Sequence, residues 1–326
     1  MTIFKEFLIK ILNAIGLLLA VIVLNFLLIH SAPGDPAEVI AGEMGGATEE
    51  VMADIRHKYG LDKPLYEQIG IYVANVATGD LGYSFYFNEP VTKLMFQRLP
   101  ASVILMVAAL ILSVGSGVLL GVMSARKPDG IFNSIMTVIS LIGYAAPVFW
   151  TGMMLVLAFA AFIPIFPVSG MSNVAADYTG LAYVTDILYH LVLPASTLAI
   201  LHTAQYSRLA RTSMIDTLNA DFIRTARAKG LSERVVIMKH ALRNALIPVV
   251  TLVGHRFGHL FAGAVLVETV FGWPGLGRLV YDSILRRDYP TLLGVLFFSA
   301  MLVMSANILT DFVYRVIDPR IRGGRS

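Results

Sequence analysis

Long apolar runs alternate with polar stretches along this chain. Residues 9–29 form the first run, in which, after Lys10 near its start, only Asn13 and Asn25 are clearly polar. At 1.5 Å per residue, 21 residues of helix cross a hydrocarbon layer roughly 30 Å thick. Residues 102–123 form a second run rich in small side chains, where Gly115, Gly117 and Gly121 would let a neighbouring helix come close. A third run, 131–162, is interrupted at Pro147 in YAAPVFW, where the missing amide is expected to bend the helix. Residues 190–211, 246–270 and 291–316 complete the pattern. The fold expected is an all-α polytopic membrane protein with six transmembrane helices.

The polar stretches predict the connections. In 31–98, the block Pro33-Gly34-Asp35-Pro36 breaks the first helix. A helix is expected over 48–59, with Thr48 as cap, Glu49 and Glu50 in the first turn and Gly60 as stop, and another over 65–76. Residues 164–189 carry two Asp and no Lys or Arg, and FGWPGLGRL reads as a tight turn without helix. Residues 221–248, DFIRTARAKGLSERVVIMKHALRNALIP, are the longest polar stretch of the second half. A short helix over 221–229 is expected there, with Asp221 at its N-terminus and Gly230 ending it. Ser232 would then cap a second helix, and Pro248 would mark the return into the membrane.

Composition agrees. The chain is 56% hydrophobic and 14% charged, with mean hydropathy +0.72; soluble domains carry about 25% charged residues. The absence of cysteine excludes disulfides, thiolate metal sites and a cysteine nucleophile. A net charge of +3 does not point to nucleic acid. Charge also orients the chain. Residues 208–244 hold eight Lys/Arg against three acids, whereas 31–98 hold ten acids against five Lys/Arg. With both termini and the 221–248 stretch placed inside, the inner segments hold sixteen Lys/Arg and the short outer ones three. The positive-inside rule therefore puts both ends in the cytoplasm. Lys5 and Lys10 resemble the start of a signal peptide, but the first apolar run exceeds a signal core of about 7–15 residues, so an uncleaved anchor is expected.

Motifs for bond chemistry are missing. There is no GxxxxGK[ST], no HExxH and no GxSxG. The chemically distinctive intramembrane residues are His255, Arg256 and His259 in GHRFGH, with Asn307 and Asp311 four apart on the last run. A charge at mid-membrane costs about 2.5–3.5 kcal/mol on insertion scales, so Arg256 should face protein or water. Three roles stay open: packing, with Arg256 satisfied by a carbonyl or by Asp311; a translocation path for carboxylate-bearing solutes; or two histidine metal ligands, which the adjacent Arg disfavours. No metal is expected. Glu268 fits helix–helix hydrogen bonding, and His202 a structural role.

The 221–248 stretch resembles the EAA loop of permease subunits in ATP-binding-cassette importers of the dipeptide/oligopeptide/nickel family. Thr225-Ala226 and Gly230 hold that loop's Ala and Gly positions. Arg224 stands where the family has an acid, and Pro248 lies farther from Gly230 than the family's Leu-Pro does. The blocks PGDPA, YGLDKP, GDLGYS, RLPAS, HLVLPASTLA, FGWPGLGRL and IDPRIR resemble the same branch in order. The resemblance implies a type I importer permease fold with an extracytoplasmic loop domain after helix 1. It divides the chain into 1–98, a transmembrane domain over 99–316 and a tail over 317–326. It implies that Asp221, Arg224, Thr225, Ala226, Arg227, Lys229 and Gly230 form the ATPase-coupling loop. The implied partners are a second homologous permease, two ATPase subunits and a periplasmic or lipid-anchored solute-binding protein. The implied cargo is peptide, with nickel or metal chelates, opines or glutathione as alternatives. No cofactor is expected on this chain, since ATP and Mg would be used by the ATPases. A membrane-embedded enzyme or a passive channel are the rival classes.

Overall fold

The structure is a computed structural model that describes residues 2–31, 48–58, 62–84, 86–126 and 130–317. The Pro33–Pro36 break, the Gly60 stop, Lys127 and the tail after residue 317 lie outside the described residues. Helices dominate: Thr2–Ser31, Glu49–Lys58, Leu65–Ala77, Val91–Arg126, Ile131–Ala145, Val148–Val156, Gly180–Leu218, Asp221–Ala228, Leu242–Val270, Leu276–Arg286 and Tyr289–Ile317. Four helical stretches among the described residues are long and apolar enough to cross a membrane: Val91–Arg126, Gly180–Leu218, Glu233–Val253 and Tyr289–Ile308. Ile11–Leu27 and Val148–Phe162 are shorter apolar helices. The chain divides into two compact units, one of residues 1–100 and 278–304, the other of 101–277 and 305–326.

In the first unit a two-stranded ladder pairs Tyr83–Ser84 antiparallel with Glu89–Pro90, a feature too short to leave a periodic signal. Asp288 anchors it. Its carboxylate accepts a 2.5 Å hydrogen bond from Ser84 Oγ, and its other oxygen accepts from the Thr291 amide at the start of the Tyr289–Ile317 helix. Gly294 gives Val91 room, since a Cβ there would stand 2.6 Å from Val91 Cγ1. Phe96 and Phe298 meet edge to face, and the Arg286 guanidinium lies 4.6 Å from the Tyr86 ring centroid.

The second unit packs the Val91–Arg126, Gly180–Leu218 and Leu242–Val270 helices around Leu105, Met106, Leu198, Val267, Phe271 and Trp273. Gly117 and Gly121 are four apart and share a face. A Cβ on Gly117 would come within 2.6 Å of Tyr206 Cβ, and one on Gly121 within 2.6 Å of the Ser207 carbonyl oxygen. Gly115, also expected at a close approach, has no neighbour within 4 Å among the described residues. Two residues before Gly117 it points about 200° away, so the face turned to the neighbour leaves it out. The surface is inverted relative to a soluble protein. Ile111 and Leu119 are exposed, while Ser102, Ser113, Thr197 and Glu268 are buried. Apolar residues on that outer face suit lipid, and the buried polar groups suit hydrogen bonding between helices.

Several expected boundaries shift. The break at Pro147 is present, separating Ile131–Ala145 from Val148–Val156, which continues as a π-helical turn over Leu157–Phe162. The helix expected from residue 190 begins at Gly180, so 180–189 belong to helix rather than to an outer loop. Pro248 starts no helix; it lies inside Leu242–Val270, as Pro100 and Pro194 lie inside their helices. Membrane helices tolerate proline because neighbouring groups re-satisfy the freed carbonyls. Ser232 precedes the next helix but makes no side-chain cap. The FGWPGLGRL segment turns as expected and then forms the Leu276–Arg286 helix, which the turn signal concealed.

Candidate functional site

The 221–245 region is a polar elbow built on an apolar footing. Asp221–Ala228 is helical, with Asp221 in its first turn, where a carboxylate complements the helix dipole. The helix ends because Gly230 adopts φ +76, a left-handed conformation that side chains with a Cβ rarely take. The Gly230 amide donates to the Arg227 carbonyl, 2.9 Å, and the Lys229 amide to that of Thr225. The chain then re-enters helix at Glu233–Val235, passes through a π-helical turn at Val236–Ala241, and continues as Leu242–Val270. Such wide turns cluster at functional segments of helices.

One face of the elbow helix is apolar and buried. Ile223 and Ala226, three apart, pack with Ala125 of the Val91–Arg126 helix, Met214 of Gly180–Leu218, and Val236, Ile237, Ala241 and Ala245 beyond the glycine. Ile223 was not singled out from the sequence. Its signal was its position as the aliphatic neighbour of Ala226 on one face of an otherwise polar helix. The opposite face is open: Asp221, Arg224, Thr225, Arg227 and Lys229 are exposed, and so is Phe222. Leu231, Val235 and Met238 extend this exposed apolar rim.

Two ion pairs shape the polar side. Arg224 Nη1 lies 3.2 Å from Asp221 Oδ1, within one turn. Arg227 spans the glycine and holds Glu233 at two points, Nη2 to Oε1 at 2.8 Å and Nε to Oε2 at 3.2 Å. Glu233 lies at the exposed, polar start of its helix. Those hydrogen bonds from Arg227 pull its carboxyl below the ordinary range, and they raise the Arg227 guanidinium in turn. Both groups face solvent, so the clasp fixes geometry more than stability. The structure thus brings Asp221, Arg224, Thr225, Ala226, Arg227, Lys229 and Gly230 together. Ala226 is the exception to an outward-facing site, being 6% exposed and part of the footing.

The intramembrane candidates are less fully placed. His255, Arg256 and His259 lie on the Leu242–Val270 helix, and Asp311 on Tyr289–Ile317, but their side chains lie outside the described residues. Asn307 is exposed on the latter helix. Glu268 is fully buried and accepts a 2.6 Å hydrogen bond from Ser102 Oγ. Ser102 Oγ in turn accepts from the Leu276 amide at 2.8 Å, and Trp273 Nε1 donates to the Ala101 carbonyl at 2.8 Å. The WPG turn is therefore strapped to the Val91–Arg126 helix by a buried relay. His202 is buried within Gly180–Leu218.

Apolar outer faces, buried polar contacts between helices and a basic elbow carried on helix ends define a multi-span helical membrane protein. The chain belongs to the family of binding-protein-dependent transport system inner membrane components, which matches residues 117–323; the N-terminal membrane component of these systems matches residues 3–106. It is 40% identical to the di/tripeptide transport system permease protein DppB of Pseudomonas aeruginosa, over 94% of this chain and 95% of that one. It is 39% identical to the dipeptide transport system permease protein DppB of Escherichia coli K12, over 96% and 98%. The oligopeptide transport system permease protein AppB of Bacillus subtilis is 38% identical over 95% and 96%. Among solved structures, a chain of the MetNI methionine ABC transporter in an inward-facing form shares the fold, with a TM-score of 0.54 and 14% identity over 69% of this chain and 96% of that one. The family is one of permease subunits that work with a solute-binding protein and an ATPase.

Proposed function

We propose that the chain is one of two homologous permeases in an ATP-driven importer that carries peptides across the bacterial inner membrane. The observation that carries the mechanism is the seating of the elbow helix. Its Ile223–Ala226 face is locked to the ends of the Val91–Arg126 and Gly180–Leu218 helices and to the start of the next one, while its other face is open. A force applied to the open face reaches three helices at once, because close-packed interiors transmit displacement with little compression. In this reading two ATPase subunits bind ATP and Mg, close together, and push Asp221–Gly230 as a lever. The permease pair then switches between outward-open and inward-open states, biased by nucleotide and by the loaded binding protein. The peptide cargo is supported by the names of relatives similar over nearly their whole length.

The same reading places six spans, both termini in the cytoplasm and an extracytoplasmic loop domain between the first two spans. Residues 1–98 supply the first span and that domain, 99–316 the transporting core and 317–326 the inner tail. The complex, reconstituted with its binding protein in proteoliposomes, is expected to accumulate a radiolabelled dipeptide only with ATP and binding protein present. Equal flux without ATP would make the chain part of a channel and overturn the assignment.

His255, Arg256 and His259 are proposed to line the cargo path. Arg256→Ala is then expected to lower uptake of carboxylate-bearing peptide about tenfold, the size of one charge-assisted hydrogen bond, and of amide-capped peptide far less. Equal losses for both would reassign Arg256 to packing.

A further inference from the structure

Between the Val148–Phe162 segment and the Gly180–Leu218 helix the chain folds over a cleft of about 570 Å³, within the range of small-molecule sites. It lies wholly in the second unit, and the transport reading does not use it. Its charged residue is Asp186, one helical turn before His190, and the two side chains are 10% and 8% exposed. Asp186 Oδ2 accepts from the Asn173 amide at 2.7 Å, and Oδ1 lies 3.3 Å from His190 Nδ1, which also lies 2.9 Å from the Asp186 carbonyl oxygen. A carboxylate offers about four lone-pair sites, so these contacts orient Asp186 and leave it able to accept further donors. Aromatic rings form the walls. Phe166, Tyr178 and Tyr189 all line the cleft. Tyr189 is braced on both sides, its hydroxyl donating to the Ile165 carbonyl and its ring tilted against Phe166 at 5.6 Å between centroids. Residues 163–190 contain two Asp and no Lys or Arg, so no fixed cation of this segment competes for the carboxylate.

We propose that this cleft is a binding subsite for an alkylammonium group of the cargo peptide, with Asp186 as the anionic anchor and the aromatic rings as its walls. The proposal rests on the peptide-importer reading and deepens it. An ammonium brings three donors and no acceptor, which matches a recessed carboxylate with spare lone pairs. Aromatic faces add attraction for a cation. His190 acts as a positioning residue, holding the Asp186 carboxylate toward the cleft. On the orientation proposed above, the cleft opens on the outer side of the membrane, where cargo arrives.

The test is peptide binding to the permease–ATPase complex in lipid nanodiscs, without binding protein, followed by saturation-transfer NMR. The probes are alanyl-phenylalanine, its N-acetyl derivative and N-acetyl-alanyl-lysine. The wild type is expected to bind the free-amine dipeptide at least tenfold more tightly than the acetylated one, and Asp186→Asn to erase that difference. Tyr178→Ala, at a partly exposed wall position, should weaken the free-amine dipeptide several-fold and serves if Asp186→Asn fails to fold. Binding of N-acetyl-alanyl-lysine like the free-amine dipeptide would show that the subsite takes terminal and side-chain ammonium groups alike; weak binding would confine it to the peptide terminus. Equal binding of free and acetylated dipeptide to the wild type would overturn the subsite. So would an Asp186→Asn complex that binds both as the wild type does but loses stimulation by the binding protein, since the cleft would then recognise that protein. ATP-driven dipeptide uptake by the same wild-type complex separates the two readings: uptake with no amine preference sinks the cleft alone, whereas absence of uptake sinks the transport reading.

Discussion

Gly230→Pro is expected to reduce binding-protein-stimulated ATP hydrolysis and peptide uptake to background while the chain still inserts in the membrane at wild-type yield. Gly230 sits at φ +76 and donates its amide to the Arg227 carbonyl. Proline fixes φ near −65° and has no amide to donate, so both features are lost together. The chain would leave the elbow helix in another direction, and the Arg227–Glu233 clasp across the glycine could not form. A graded series separates this from crowding. A Cβ on Gly230 would meet no described atom within 4 Å, so smaller substitutions act through the backbone alone. Asparagine tolerates the left-handed region better than alanine, for which it costs roughly 1–2 kcal/mol. Uptake should therefore fall in the order glycine, asparagine, alanine, proline. Ala226→Phe should match the proline variant by another route, since a large side chain forced among Ile223, Met214 and Ala241 costs about 1–3 kcal/mol and lifts the elbow off its footing. Wild-type uptake in both variants would remove the elbow from the mechanism.

The second large effect is on folding. Gly277→Val should lower the thermal midpoint of the purified subunit by several degrees or prevent its isolation. A Cβ at Gly277 would stand 2.5 Å from Val265 Cα and 2.9 Å from its amide nitrogen, and backbone cannot rotate aside as a side chain can. Gly275→Ala meets the Glu268 carboxyl at 2.3 Å and breaks the relay from the other side. Glu268→Ala leaves the Ser102 hydroxyl without this acceptor in a buried site, at a cost of about 1–3 kcal/mol, whereas Glu268→Gln keeps an acceptor and should cost less. The change can be read from fluorescence. Trp273, one of two tryptophans, is fully buried and hydrogen-bonded to Ala101, so its emission should shift to longer wavelength when the turn opens. Midpoints for Gly277→Val and Glu268→Ala equal to the wild type would show that the strap carries no stability. If Ser102→Ala and Glu268→Ala lose as much together as either does alone, the relay acts as one unit.

How much of this could be read from residues alone depended on whether the signal was local. Apolar length announced the long helices, and Pro147 announced its break, because both act within a few bonds. The elbow was legible for the same reason: a left-handed glycine after a short polar helix is a local device. What tertiary packing decides was not. Nothing within the sequence near Gly115, Gly117 and Gly121 says which of the three faces a neighbour, since that depends on how the Gly180–Leu218 helix approaches. Pro248 looked like a boundary because proline ends most soluble helices, and Ser232 looked like a cap because serine usually is one. The Leu276–Arg286 helix was hidden behind two glycines and a proline that dominate any local reading. Among the candidate site residues, Ala226 was placed correctly on the elbow, but its inward direction required the footing to be seen.

The seam between the Val91–Arg126 and Gly180–Leu218 helices has a mechanical consequence. At Gly117 and Gly121 the missing side chains leave room for Tyr206 Cβ, the Ser207 carbonyl oxygen and Ala210 Cβ, each within 2.7 Å of where a Cβ would stand, so the two rods interlock like cogs. Sliding either by a single residue would drive a bulky neighbour into the other's main chain. Such a joint gives a machine a stiff strut, and whatever bends during a cycle must bend elsewhere, at the Pro147 break or the wide turn after the elbow.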